Sequence, residues 1–181
     1  MTLYSDEEIL RVFQEECRNY YYYQDKLKNL NDQLAVLVNR MENTHSPSLD
    51  KVPSATPANA DDRIVPYLET KTSLENRIGA CQAMLKWIEH CIDEIPYPAY
   101  RYMVWQTYIA GDKLSYFAKR YNVSVKKISQ NRKKCLLMVL NDDKIIEHDK
   151  LQMDMIGAER ENALVRPDYV LNQRGEKNEQ E

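Results

Sequence analysis

Residues 113–134 read KLSYFAKRYNVSVKKISQNRKK, with eight Lys or Arg and no Asp or Glu, in a chain of formal net charge -3. Ammonium and guanidinium groups at that density neutralise phosphates, and a Gln among them can bond an adenine edge in bidentate fashion while Lys reads guanine acceptors. Spacing separates this polyanion reading from an ordinary solvated face. Residues 96–140 hold nine basic residues and one acidic residue, a net of +8, so the remainder of the chain carries -11. A basic module can then face phosphates while the acidic parts stay off them.

Other chemistry is poorly provided for. Cys17, Cys81, Cys91 and Cys135 form no CxxC pair, and His45, His90 and His148 lie far apart, which is poor spacing for a metal. His90 and Cys91 are adjacent, so on a helix they point about 100° apart, and no third partner is evident. No Gly-rich phosphate loop and no GxSxG elbow occurs. The expectation is a protein that is not an enzyme and uses no cofactor and no metal.

The elements that must position the basic window are helices, because 29% of the residues are charged and only four are Gly. Ser5 followed by Asp6, Glu7 and Glu8 reads as a capped helix start with acids at the positive end of the dipole. Phe13, Tyr20, Leu27, Leu34 and Met41 then repeat every seven residues, with Tyr23, Leu30 and Leu37 three residues after the middle members. This is an a/d stripe, interrupted by Glu16, where the pairing is expected to loosen. Tyr20 and Tyr23 belong to packing, and Tyr21 and Tyr22 face outward. A second stripe runs through Leu74, Ile78, Cys81, Leu85, Ile88, Ile92 and Ile95. The intervening THSPSLDKVPSATPANADD, with three prolines, reads as a flexible linker. Two such stripes can fold back as a helical hairpin or pair with a second chain, and spacing does not choose between them.

Pro96 and Pro98 end the second long helix, and Pro98 suits the first turn of the next, which Ala110-Gly111 closes. The basic window then reads as helices over 114–121 and 125–140. Phe117 and Tyr121 share a face, Ala118 permits a close crossing, Asn122 takes a positive φ, Val123 plugs the turn and Ser124 caps the second helix. Ile128, Cys135, Leu136 and Val139 form that helix's inner face, and Lys126, Lys127, Ser129, Gln130 and Lys133 its outer face. This is helix-turn-helix spacing. The chain divides into a coiled-coil helix at 1–43, a linker at 44–62, a second coiled-coil helix at 63–95, a DNA-binding module at 96–140 and a polar tail at 141–181. Neither a signal sequence nor an apolar run of roughly 20 residues is present, so a cytoplasmic protein without a membrane partner is expected.

IPYPAYRYMVWQTYIAGDKLSYFAKRYNVSVKKISQNRKKCL resembles region 4 of bacterial sigma factors, and more closely the small sigma-like regulators of Gram-positive phages and prophages, the ArpU/RinA type of late-gene activator. The resemblance covers roughly residues 20–140, with specific motifs only in the last third. It implies an all-α protein, a helical hairpin or coiled coil followed by a region-4-like module. It also implies transcriptional regulation of phage or prophage genes in the host cytoplasm. Double-stranded DNA, host RNA polymerase and a homo-oligomer through the coiled coil are the implied partners. Lys126, Lys127, Ser129 and Gln130 would meet the major groove, and Lys113 and Arg120 phosphates. Ser124, Arg132, Lys133 and Lys134 complete the candidate DNA-contacting set. Asn131 stands where the family packs an apolar residue, and Asn122 replaces the usual Gly. A DNA-packaging component such as a small terminase subunit, or a helical interaction module, are the alternative readings.

Overall fold

The computed structural model describes residues 3–44 and 60–164, and among these there is no β-strand. The helices are α1 (Asp6–Thr44), α2 (Ala60–Asp93), α3 (Pro98–Val104), α4 (Leu114–Arg120), α5 (Val125–Leu137) and α6 (Asp142–Leu164), with a π-helical turn over Trp105–Ile109. Residues 45–59 of the expected linker and 165–181 of the expected tail lie outside the described residues. At the linker's edges α1 reaches Thr44 and α2 begins at Ala60. No helix among the described residues is long and apolar enough to cross a membrane.

Two compact units divide the chain, one of Met1–Lys26 with Cys81–Met153 and one of Leu27–Ala80 with Asp154–Glu181. The first contains the basic module. Its α1 segment begins with a reciprocal cap: the Ser5 backbone N–H donates to Glu8 Oε2 at 2.8 Å, and the Glu8 N–H donates to Ser5 Oγ at 3.3 Å. Both orphan donors are satisfied beside an acidic first turn. Ile9, Leu10, Phe13, Cys17, Tyr20 and Tyr23 are buried from α1, and Cys81, Met84, Leu85, Trp87, Ile88, Cys91, Ile92 and Ile95 from the α2 region. Tyr21 and Tyr22 are exposed. Phe13 meets Trp87 with ring centroids 6.1 Å apart, and the Tyr20 hydroxyl donates to Glu89 Oε1 at 2.6 Å. All four cysteines are buried free thiols, and burial pushes the Cys91 thiol up to about 12, which keeps it from acting as a nucleophile.

Glu16 does not loosen the stripe. It is 3% exposed and its carboxylate is fully engaged: Oε1 lies 2.9 Å from His148 Nε2 and accepts from Gln152 Nε2 at 2.9 Å, while Oε2 accepts from the Tyr23 hydroxyl at 2.6 Å. His148 and Gln152 stand on α6, part of the region read from sequence as a tail. Ile145 and His148 of that helix are buried in this unit, and Asn141 Oδ1 caps its start by accepting from the Lys144 N–H at 3.0 Å. The described part of the tail is therefore a structural helix.

In the second unit Leu30, Leu74, Ile78 and Ala158 are buried, and Arg77 Nε donates to Glu159 Oε1 at 3.3 Å. Leu30 is 1% exposed, whereas Leu34 and Leu37, one turn and two turns on, are only half-buried. Leu30→Ala is accordingly expected to cost about 2–5 kcal/mol and Leu34→Ala distinctly less, because only the first empties a closed site. Denaturant titration of both variants checks the order; equal penalties would contradict it.

Candidate nucleic-acid interface

The basic module is built on a short helical frame. Pro98 opens α3, where the absent N–H costs nothing. The π-helical turn that follows stops at Ile109, and two residues on Gly111 takes φ +81°, a conformation that glycine adopts without strain. Met103, Phe117, Ala118 and Ile128 form a buried cluster against which Tyr100 and Leu114 pack. Phe117 sits between the rings of Tyr102 at 6.0 Å and Tyr116 at 5.3 Å, both near edge-on.

Between α4 and α5 the chain makes a Schellman turn. The Asn122 N–H donates to Lys119 O at 3.2 Å, the Val123 N–H donates to Ala118 O at 3.0 Å, and Asn122 takes φ 51°. Ser124 then accepts the Lys127 N–H on its Oγ at 3.2 Å and caps α5. The expected plug is absent, since Val123 is 40% exposed and Tyr121 43%. Val123 and Tyr121 instead line a cavity of about 190 Å³. Tyr100, Met103, Ile128 and Asn131 also line it. Asn131 is half-buried against it.

On α5, Ile128, Cys135 and Leu136 point inward and are buried. The opposite arc presents Lys126, Lys127, Gln130, Lys133 and Lys134, all exposed, with Ser129 half-buried at its edge. Lys113 immediately precedes α4 and Arg120 ends it; both are exposed, as is Ser124 at the start of α5. Lys119, not picked out from the sequence, is also exposed beside Arg120. None of these cations forms an ion pair with a described acidic group.

Arg132 departs from the candidate set. Its Nη1 donates to Thr107 Oγ1 at 2.7 Å and its guanidinium lies 4.1 Å from the centre of the Tyr108 ring. The cause is periodicity: Arg132 follows the buried Ile128 by four residues, so it shares the inner arc rather than the cationic one. Burial lowers its pKa, opposed by the charge interaction with Tyr108. In the described structure its contacts are therefore with Thr107 and Tyr108, and it is half-buried where the lysines of α5 are exposed. Among the described residues no cluster of three His, Cys, Asp or Glu side chains could hold a metal ion.

The arrangement is that of a helical protein presenting one exposed cationic helix face. No protein-family model, curated protein or solved structure matches the chain.

Proposed function

We propose that the protein is a sequence-specific DNA-binding regulator of transcription, of the phage or prophage sigma-like kind, which lays α5 in the major groove. The observation that carries this reading is the outer face of α5, where four exposed lysines flank an exposed Gln130 on a helix whose other face is packed and whose start is capped. Lysines there supply sequence-independent attraction and Gln130 supplies discrimination. In this reading α4, the Asn122 turn and α5 are the helix-turn-helix, and α1 with α2 forms a helical hairpin. Pairing of that hairpin with a second copy would set two modules on neighbouring half-sites, and contact with host RNA polymerase would turn binding into recruitment.

The test separates discrimination from attraction. Gln130→Ala is expected to cost about 1–3 kcal/mol on a selected duplex and little on scrambled DNA, while Lys113→Ala weakens binding to every sequence and lowers the salt slope by about one unit. Titrations of selected and scrambled duplexes across a salt series read both. An unchanged ratio in Gln130→Ala removes α5 as the reading helix, and a wild-type protein that binds no duplex at low salt removes the DNA reading altogether.

A further inference from the structure

Arg132 spends a guanidinium on the interior of a module whose other α5 cations all face solvent, and its partners lie on an unusual element. Thr107 and Tyr108 belong to the π-helical turn over Trp105–Ile109. Such turns are rare, and within α-helices they gather at functional sites. The Thr107 hydroxyl donates to Met103 O at 2.7 Å, so its lone pairs remain for the Arg132 Nη1 donor. Tyr108 presents its ring to the guanidinium on one side. On the other its hydroxyl accepts from Gln14 Nε2 of α1 at 3.1 Å, and Phe13 of α1 meets its ring edge-on with centroids 6.3 Å apart. A continuous path of packed and hydrogen-bonded groups thus runs from α5 through the π-helical turn to α1.

We propose that Arg132 is a positioning residue which fixes the rotation of α5 about its own axis by clamping it to Thr107 and Tyr108, so that Gln130 and its flanking lysines are aimed as one set. The proposal rests on the DNA reading above. Geometry supports a clamp rather than simple space-filling. A planar guanidinium that bonds a hydroxyl and stacks on a ring permits one orientation, whereas an apolar side chain on the same arc would tolerate sliding. Among the described residues Arg132 Nε has no hydrogen-bond partner, so the clamp is made by Nη1 and the face of the guanidinium alone. Lys keeps the charge but lacks the fork, so it is not an equivalent.

Two variants, Arg132→Lys and Thr107→Val, break the clamp from opposite ends, and Thr107 lies off the cationic face. Without DNA, amide hydrogen exchange is expected to quicken along residues 125–137 in both variants while the core of α1 near Phe13 keeps its protection. Unchanged exchange along α5 in both would overturn the clamp. With DNA, both variants are expected to lower the selected-to-scrambled affinity ratio and leave the salt slope unchanged, since neither removes a phosphate contact, whose loss lowers it by roughly 0.9. Arg132→Met provides the opposing arm. If it lowers the slope by about 0.9 with the ratio intact, and Thr107→Val is silent, Arg132 is a phosphate contact and the proposal is wrong. A wild-type protein that binds no duplex rejects the DNA reading, and the exchange measurement still decides the clamp.

Discussion

Glu16→Ala is expected to destabilise the protein by about 3–5 kcal/mol, the penalty for breaking a buried ion pair from one side. Glu16 and His148 are each 3% exposed and 2.9 Å apart, and removal of the carboxylate also strips the Tyr23 hydroxyl and the Gln152 amide of their acceptor. The groups around the imidazole are few: Asp149 Oδ1 lies 3.3 Å from Nδ1, and the Trp87 ring centre is 5.0 Å from the ring. Asp149 is half exposed and cannot replace the buried partner. Glu16→Gln retains an acceptor for the imidazole and is expected to lose less.

The pair also sets a pH dependence whose sign follows from its two shifts. Burial raises the Glu16 pKa, but hydrogen bonds from His148, Tyr23 and Gln152 outweigh it and hold the carboxyl below its ordinary 4.5. Burial lowers His148, but the hydrogen bonds and negative charges of Glu16 and Asp149 together outweigh it and raise the imidazole above its ordinary 6.5. The Glu16 contribution is therefore whole above 4.5 and lost as pH falls through the lowered value. The His148 contribution is whole below 6.5 and lost as pH rises through the raised value. Both are complete between these ordinary values. Denaturant titrations at pH 5.5 and at a pH well above the His148 transition should show the gap between wild type and Glu16→Ala narrowing at the higher pH. A gap that widens there would mean that the imidazole is neutral in the fold.

What the amino-acid sequence disclosed, and what it hid, divides along the range of the interactions. The Ser5 and Ser124 caps, the break at Pro96 and Pro98, and the positive φ at Asn122 are local, and each depends on a few neighbouring residue types. The Leu74 to Ile95 stripe is buried throughout, because a heptad pattern reports its own face. Glu16 looked like a flaw in its stripe because its partner is 132 residues away in sequence. The role of α6 was hidden for a related reason: its buried positions include His148 and Ala158 beside Ile145, so no apolar period marks it. Arg132 was legible in part. Its charge put it in the candidate DNA-contacting set, while its place one turn after Ile128 puts it on the inner arc, where Thr107 and Tyr108 offer the guanidinium a hydroxyl and a ring.

The simultaneous change of Lys126, Lys127, Lys133 and Lys134 to Ala is expected to abolish most of the salt dependence of duplex binding. With Arg132 turned inward, the exposed cations of the candidate set are Lys113, Arg120 and these four. If all six meet phosphates, the slope of log affinity against log salt is about -5, and a rise from 50 to 200 mM salt weakens binding about a thousandfold. With two contacts left the slope falls to about -2 and the same change in salt costs about tenfold. The fold should be spared, since all four side chains are exposed and Ala favours the helix. The variant thus keeps its melting curve while losing affinity most at low salt, where the attraction it lacks is largest. Discrimination between selected and scrambled duplexes should persist in it, because Gln130 is untouched. A salt slope equal to that of the wild type would mean that the cationic face of α5 points away from the DNA, and the orientation argued from its buried and exposed arcs would have to be abandoned.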